Sequence, residues 1–182
     1  MVRVGDMLVV RLLISLILAT SSLAMKQMII RKAEMCELEK NYQTKFYASV
    51  TNKGGFQHLT ANITITEPWG DNVVANLVFY VSRDDKKFDK FSEGKFGMCY
   101  FVKTFLGPFG NELFRIAKIL PGTCPIPKGN YYIKDYKLDF RTILVAEVLP
   151  IGTFRVIGHN VEKSSGRTLV CYNLEMEVIK SN

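Results

Sequence analysis

The chain has 182 residues, 48% of them hydrophobic and 23% charged, with a formal charge of +7 and a pI near 9.2. That much apolar material excludes a disordered chain, and one apolar stretch near spanning length excludes a polytopic membrane protein. Four cysteines are too few for a dense disulfide scaffold, and two histidines are little material for a histidine-built zinc site.

Arg3 precedes an apolar core from Leu12 to Leu18, which Leu8, Val9 and Val10 extend upstream past Arg11. Ser22 and Ala24 are small residues at the two positions a signal peptidase inspects. This is the anatomy of a secretory signal peptide. The rival reading is a membrane anchor, but Arg11 leaves the unbroken run well short of the ~20 residues a spanning helix needs. We expect a signal peptide over residues 1–24 and a single secreted, extracellular domain over 25–182. In an oxidising compartment Cys36, Cys99, Cys124 and Cys171 form two disulfides, with three connectivities open. They show no C-x-x-C spacing, which argues against a redox motif or a zinc knuckle.

The body of the domain reads as strands. Residues 44–51 are rich in aromatic and β-branched side chains, Phe46 among them. In the next run Leu59, Ala61, Ile63 and Ile65 alternate with Thr60, Asn62, Thr64 and Thr66, and Pro68 ends the segment. Asn62-Ile63-Thr64 is the one glycosylation sequon, and the alternation turns Asn62 outward, so a glycan is expected there. Val73, Ala75, Leu77, Phe79 and Val81 share one face of a third strand, and Val74 and Val78 make its second face apolar too. The charge-alternating stretch Asp84 to Phe91 follows as a solvated hairpin end; its mixed signs argue against a nucleic-acid patch. Phe101, Phe105, Phe109 and Phe114 fall in or beside a stretch that Gly107, Pro108 and Gly110 make loop-like, which suits a pocket rim or lid. From Asn111 the period changes: Leu113, Ile116, Ala117 and Leu120 recur at helical spacing until Pro121-Gly122. Strands resume over residues 130–140, with Tyr132, Tyr136, Leu138 and Phe140 assigned to one face. They continue over 152–161, with Phe154 and Val156 on one face and Ile157 on the other. In the last strand Val170, Tyr172, Leu174, Met176 and Val178 alternate with polar residues and Cys171.

Several strands, one short helix, then more strands favour a mainly-β, two-sheet antiparallel sandwich with one inserted helix. Phe46, Phe79, Tyr132, Phe154 and Tyr172 are then core residues first of all. Secreted, basic, disulfide-linked proteins include ribonucleases, so His58 and His159 are candidates for a base and acid pair. Nothing in the sequence brings them together. No G-x-S-x-G, H-E-x-x-H or P-loop occurs, which leaves hydrolase, zincin and nucleotide readings without a foothold.

A resemblance sharpens this picture. It rests on Gly97-Met98-Cys99-Tyr100-Phe101, the short helix, and Gly122-Thr123-Cys124-Pro125-Ile126-Pro127-Lys128-Gly129. It continues through Tyr131-Tyr132-Ile133 and Leu149-Pro150-Ile151-Gly152-Thr153-Phe154-Arg155-Val156. This pattern resembles the DUF1091 group, seen mainly in insects and related to CheB and GM2-activator-like proteins within the MD-2-related lipid-recognition (ML) proteins. The resemblance implies an immunoglobulin-like, cup-shaped sandwich that holds a lipid between splayed sheets. It implies pairing of Cys36 with Cys171 and of Cys99 with Cys124. GM2-activator itself has more cysteines than this chain, so its role in glycolipid hydrolysis does not carry over.

The expected function is that of a secreted, non-catalytic lipid or apolar-ligand binding protein without cofactor or metal, of chemosensory perireceptor type. It is expected to be a monomer that meets a membrane surface or a receptor and binds no nucleic acid. The cavity is assigned to Phe46, Phe79, Phe101, Phe105, Phe109 and Leu113, together with Phe114, Ile116, Tyr132, Phe154, Val156 and Tyr172. Polar head groups are placed at a mouth near Lys86, Lys87 and Lys90. The alternative is a cavity-free sandwich that presents its surface to a receptor.

Overall fold

The computed structural model describes residues 26–36, 42–82, 84, 87–139 and 149–180. The expected signal peptide, Lys86 and Phe140 lie outside the described residues. The described strands are β1 (Lys26–Met35), β2 (Lys45–Lys53), β3 (Phe56–Ile65), β4 (Val73–Ser82), β5 (Asp89–Gly97), β6 (Gly129–Lys137), β7 (Gly152–Glu162) and β8 (Thr168–Lys180). They form two antiparallel sheets, one of five strands in the order β1-β8-β7-β4-β5 and one of three in the order β2-β3-β6. A helical insertion between β5 and β6 comprises α1 (Met98–Phe101), a π-helical turn (Val102–Leu106) and α2 (Gly107–Ile116). The mainly-β sandwich with an inserted helix is therefore the fold.

Period-two alternation explains which faces meet. Val73 and Ala75 on β4 and Phe154 on β7 are fully buried, and Val178 on β8 nearly so. Each lies on the inward parity read from the sequence. Two clusters share the space between the sheets. One gathers Ile65, Val73, Ala75, Met98, Phe114 and Val170. The other, toward the opposite end of β4, β7 and β8, gathers Leu77, Phe154, Val156, Met176 and Val178.

Three local features differ from the sequence expectation. The Phe101–Gly110 stretch is helical, not a loop. Pro108 lies in the first turn of α2, where a missing N–H breaks no helical bond. Gly107, at φ 50°, takes the left-handed kink between the π turn and α2. Tyr132 points outward, 56% exposed, while Tyr131 and Ile133 face in. The register slips between Leu59 and Ala61 of β3, so that Lys134 and Asp135 both oppose Thr60, with Asp135 at φ 51°. That bulge inserts one residue and inverts the parity, so Leu138 faces inward on even numbering while Tyr132 does not. Finally, β1 and β5 carried no clear alternation. β1 has its own irregularity between Ile30 and Lys32, and β5 is an edge strand paired only with β4.

Candidate ligand cavity

The sheets and the helical insertion border a cavity of about 350 Å³ that is partly open to solvent. The three-stranded sheet lines it with Phe46, Ala61, Ile63, Ile65, Tyr131 and Ile133. The five-stranded sheet presents Ala33, Asn160, Val170, Tyr172, Asn173 and Leu174. The helical insertion closes a third side with Phe101, Val102, Leu106, Leu113, Phe114 and Ala117, and Trp69, Met98, Ile119 and Ile126 complete the wall. None of the described lining residues carries a charge.

Small residues keep the space open. Ala33, Ala61 and Ala117 stand on three different walls. Tyr172 and Phe101 pack against both core clusters, so they stand where the cavity end meets the filled end. Gly158 makes the Tyr172 position possible: a Cβ there would lie 2.2 Å from the tyrosine ring. The helical wall is pinned at both flanks of its tether. Cys99 of α1 is bonded to Cys124, and the backbone of Ile126 exchanges hydrogen bonds of 2.9 and 2.8 Å with that of Trp69. The second disulfide, Cys36–Cys171, joins the end of β1 to β8. Both pairings are those the resemblance implied.

The cavity brings together only some of the residues assigned from sequence. Phe46, Phe101, Leu113, Phe114 and Tyr172 line it. Phe79, Phe154 and Val156 belong to the filled end. Phe105 stacks in an aromatic group with Phe96 at 4.7 Å and Phe101 at 5.7 Å. Phe109 packs with Leu138 and Tyr136 in a separate small cluster. Ile116 does not reach the lining, and Tyr132 lies on the outer surface. The lysine expectation is corrected as well. Lys87 and Lys90 belong to the β4–β5 hairpin end, where Lys90 opposes Tyr80 and bonds Glu93 at 2.7 Å. That end adjoins the filled core, not the cavity. Lining residues missed from sequence include Thr44, Trp69, Tyr131 and Asn160. Asn160 left a signal, since it continues the inward parity of Phe154 and Val156 as a polar residue on an apolar face.

The histidine pair is not assembled. His58 lies on the outer face of β3, its Nδ1 3.3 Å from Asp135. His159 lies on the outer face of the other sheet, 3.2 Å from Cys171 Sγ. The disulfide consumes both sulfurs of that Cys36–His159–Cys171 grouping.

Burial pushes the Tyr172 phenol up from 10.0 to about 12. The folded pKa exceeds the unfolded one, so the associated stability is fully present below pH ~10 and is lost as pH rises toward ~12. The loss amounts to about 3 kcal/mol over that window. Urea unfolding at stepped alkaline pH, compared between wild type and Tyr172→Phe, should show the decline in the wild type and a shallower one in the variant. Equal slopes would mean that Tyr172 is not buried as described.

The architecture defines a class: a disulfide-tied β-sandwich with an uncharged cavity between its sheets. The family described as "Protein of unknown function (DUF1091)" matches residues 75–156, from β4 through the helical insertion into β7. The chain carries that family's pattern across this stretch. Among solved structures, the crystal structure of chicken MD-1 complexed with lipid IVa aligns with 84% of this chain and 96% of that one. The identity is 10% and the TM-score 0.40. No curated protein matches the sequence.

Proposed function

We propose that the protein is a secreted, non-catalytic carrier that holds a lipid or similar small apolar molecule between its two sheets. The cavity carries this reading. Protein interiors are normally close-packed, so an uncharged space of about 350 Å³ inside the sandwich is a built feature. It falls within the size range of small-molecule sites. Each methylene moved into it from water contributes ~0.8 kcal/mol, so chain length sets much of the affinity. The cavity speaks against the cavity-free alternative. Two disulfides fit an oxidising compartment. Among the described residues no helix is long and apolar enough to cross a membrane. The proposal retains Phe46, Phe101, Leu113, Phe114 and Tyr172 as ligand contacts, and Asn62, exposed on β3, as the glycan site.

The test is displacement of the fluorescent probe N-phenyl-1-naphthylamine by dodecane and dodecanol. Wild type should bind the probe and release it to both. Ala61→Phe, which fills the cavity from β3, should weaken probe binding at least about tenfold, an effect of ~1.4 kcal/mol. Ala117→Phe, which fills it from the helical side, should do the same. Undiminished binding in both variants, or no binding by wild type, would overturn the carrier reading.

A further inference from the structure

The cavity is apolar but not uniformly so. Thr44 is 1% exposed and Asn160 is 4% exposed, and both line it. Thr44 Oγ1 and Asn160 Oδ1 are each buried without a hydrogen-bond partner. Burying such a group unpaired is costly, and native proteins rarely leave two in one place. Here the strand pairing draws them together. The Thr44 N–H donates to the Leu169 carbonyl at 3.1 Å, and the next residue, Val170, lies opposite Asn160 in the β7–β8 register. Two further orphans, the Trp69 indole N–H and Asn173 Oδ1, belong to residues that line the same cavity.

These atoms are complementary. The threonine hydroxyl can donate, and the Asn160 carbonyl oxygen accepts. A ligand hydroxyl does both: it accepts from Thr44 Oγ1–H and donates to Asn160 Oδ1. A ketone or ester only accepts, which leaves Asn160 unpaired. An ionised carboxylate also only accepts, and no described cation lines the wall to offset its desolvation. A pure hydrocarbon satisfies neither group.

We infer that Thr44 and Asn160 form an internal anchor that selects uncharged apolar molecules bearing a hydroxyl group. The inference rests on the carrier reading above and refines it. It moves the polar end of the ligand from the lysine-bearing surface to the interior.

The experiment is displacement of N-phenyl-1-naphthylamine by dodecanol, dodecane and dodecanoate at neutral pH. The proteins are wild type, Thr44→Val, Asn160→Leu, the double variant and Thr44→Ser. Wild type should prefer dodecanol to dodecanoate. The double variant should bind dodecanol about tenfold more weakly, the worth of two buried hydrogen bonds. Its affinity for dodecane should be unchanged, and Thr44→Ser, which keeps the hydroxyl, should behave as wild type. Should Asn160→Leu not fold, the Thr44→Val and Thr44→Ser pair carries the comparison. The anchor is refuted if dodecanol affinity stays within about twofold in the variants while dodecane still binds. It is refuted equally if wild type binds dodecanoate as tightly as dodecanol. If wild type binds none of the probes, the carrier reading itself fails, a separate result.

Discussion

Phe154→Ala is expected to destabilise the protein by about 3–5 kcal/mol, the range for deleting a large ring from a closed core. Phe154 is fully buried and packs in the end of the sandwich that holds Leu77, Val156, Met176 and Val178. The surrounding strands are paired on both sides of β7, so the site has little freedom to collapse around the hole. Phe46→Ala is the informative contrast. That ring is half-buried and already borders open space, so its loss widens an existing cavity instead of creating one. It should cost about 2 kcal/mol or less and act mainly on ligand affinity. Urea midpoints for the two variants, with probe titration alongside, check both statements. Similar stability losses would mean that the two ends of the intersheet space are not packed differently.

Removing the Cys36–Cys171 disulfide, as Cys36→Ser with Cys171→Ser, is expected to cost about 5 kcal/mol. The cystine spans 135 residues, and loop-closure entropy in the unfolded chain grows with that span. The Cys99–Cys124 link spans 25 residues, so its removal should cost less, about 3.5 kcal/mol. The functional order should be the reverse. β1 remains held to β8 by an antiparallel register from Lys26–Lys180 to Met35–Tyr172 when the longer link is gone. The shorter link tethers α1 and thereby the wall bearing Phe101, Leu113 and Phe114. Paired unfolding and probe-binding measurements would test this. If the shorter link's loss leaves probe affinity intact while the longer one's abolishes it, the helical wall does not depend on its tether.

Much of the fold could be read locally. Alternation on β3, β4, β7 and β8 assigned the inward faces correctly because a strand's side-chain parity depends only on its own residues. The helix was found from Asn111 for the same reason, since Leu113 and Ile116 recur at its period, but it ends at Ile116 and leaves Leu120, expected on its apolar face, 78% exposed. Its first half was missed because Gly107 and Pro108 read as loop signals, whereas in place they serve as a kink and a first-turn residue. Tyr132 was misplaced because the bulge at Asp135 shows itself only in the pairing of β6 with β3, not in the residues of β6.

The cavity divides along the same line. Residue patterns alone assigned two apolar sheet faces with an amphipathic helix between them and an even set of cysteines able to cross-link. Whether those faces meet and fill the space, or stand apart and leave it hollow, was decided only in the tertiary structure. Phe154 and Phe46 look alike in sequence, each an aromatic residue on an inward face. One meets Leu77 and Met176 and is sealed; the other borders a space kept open by Ala33, Ala61 and Ala117. Packing is a relation between residues on different strands, and no local pattern encodes it. Thr44 and Asn160 were hidden for the same reason: a polar residue becomes an anchor only when the chain around it supplies no partner.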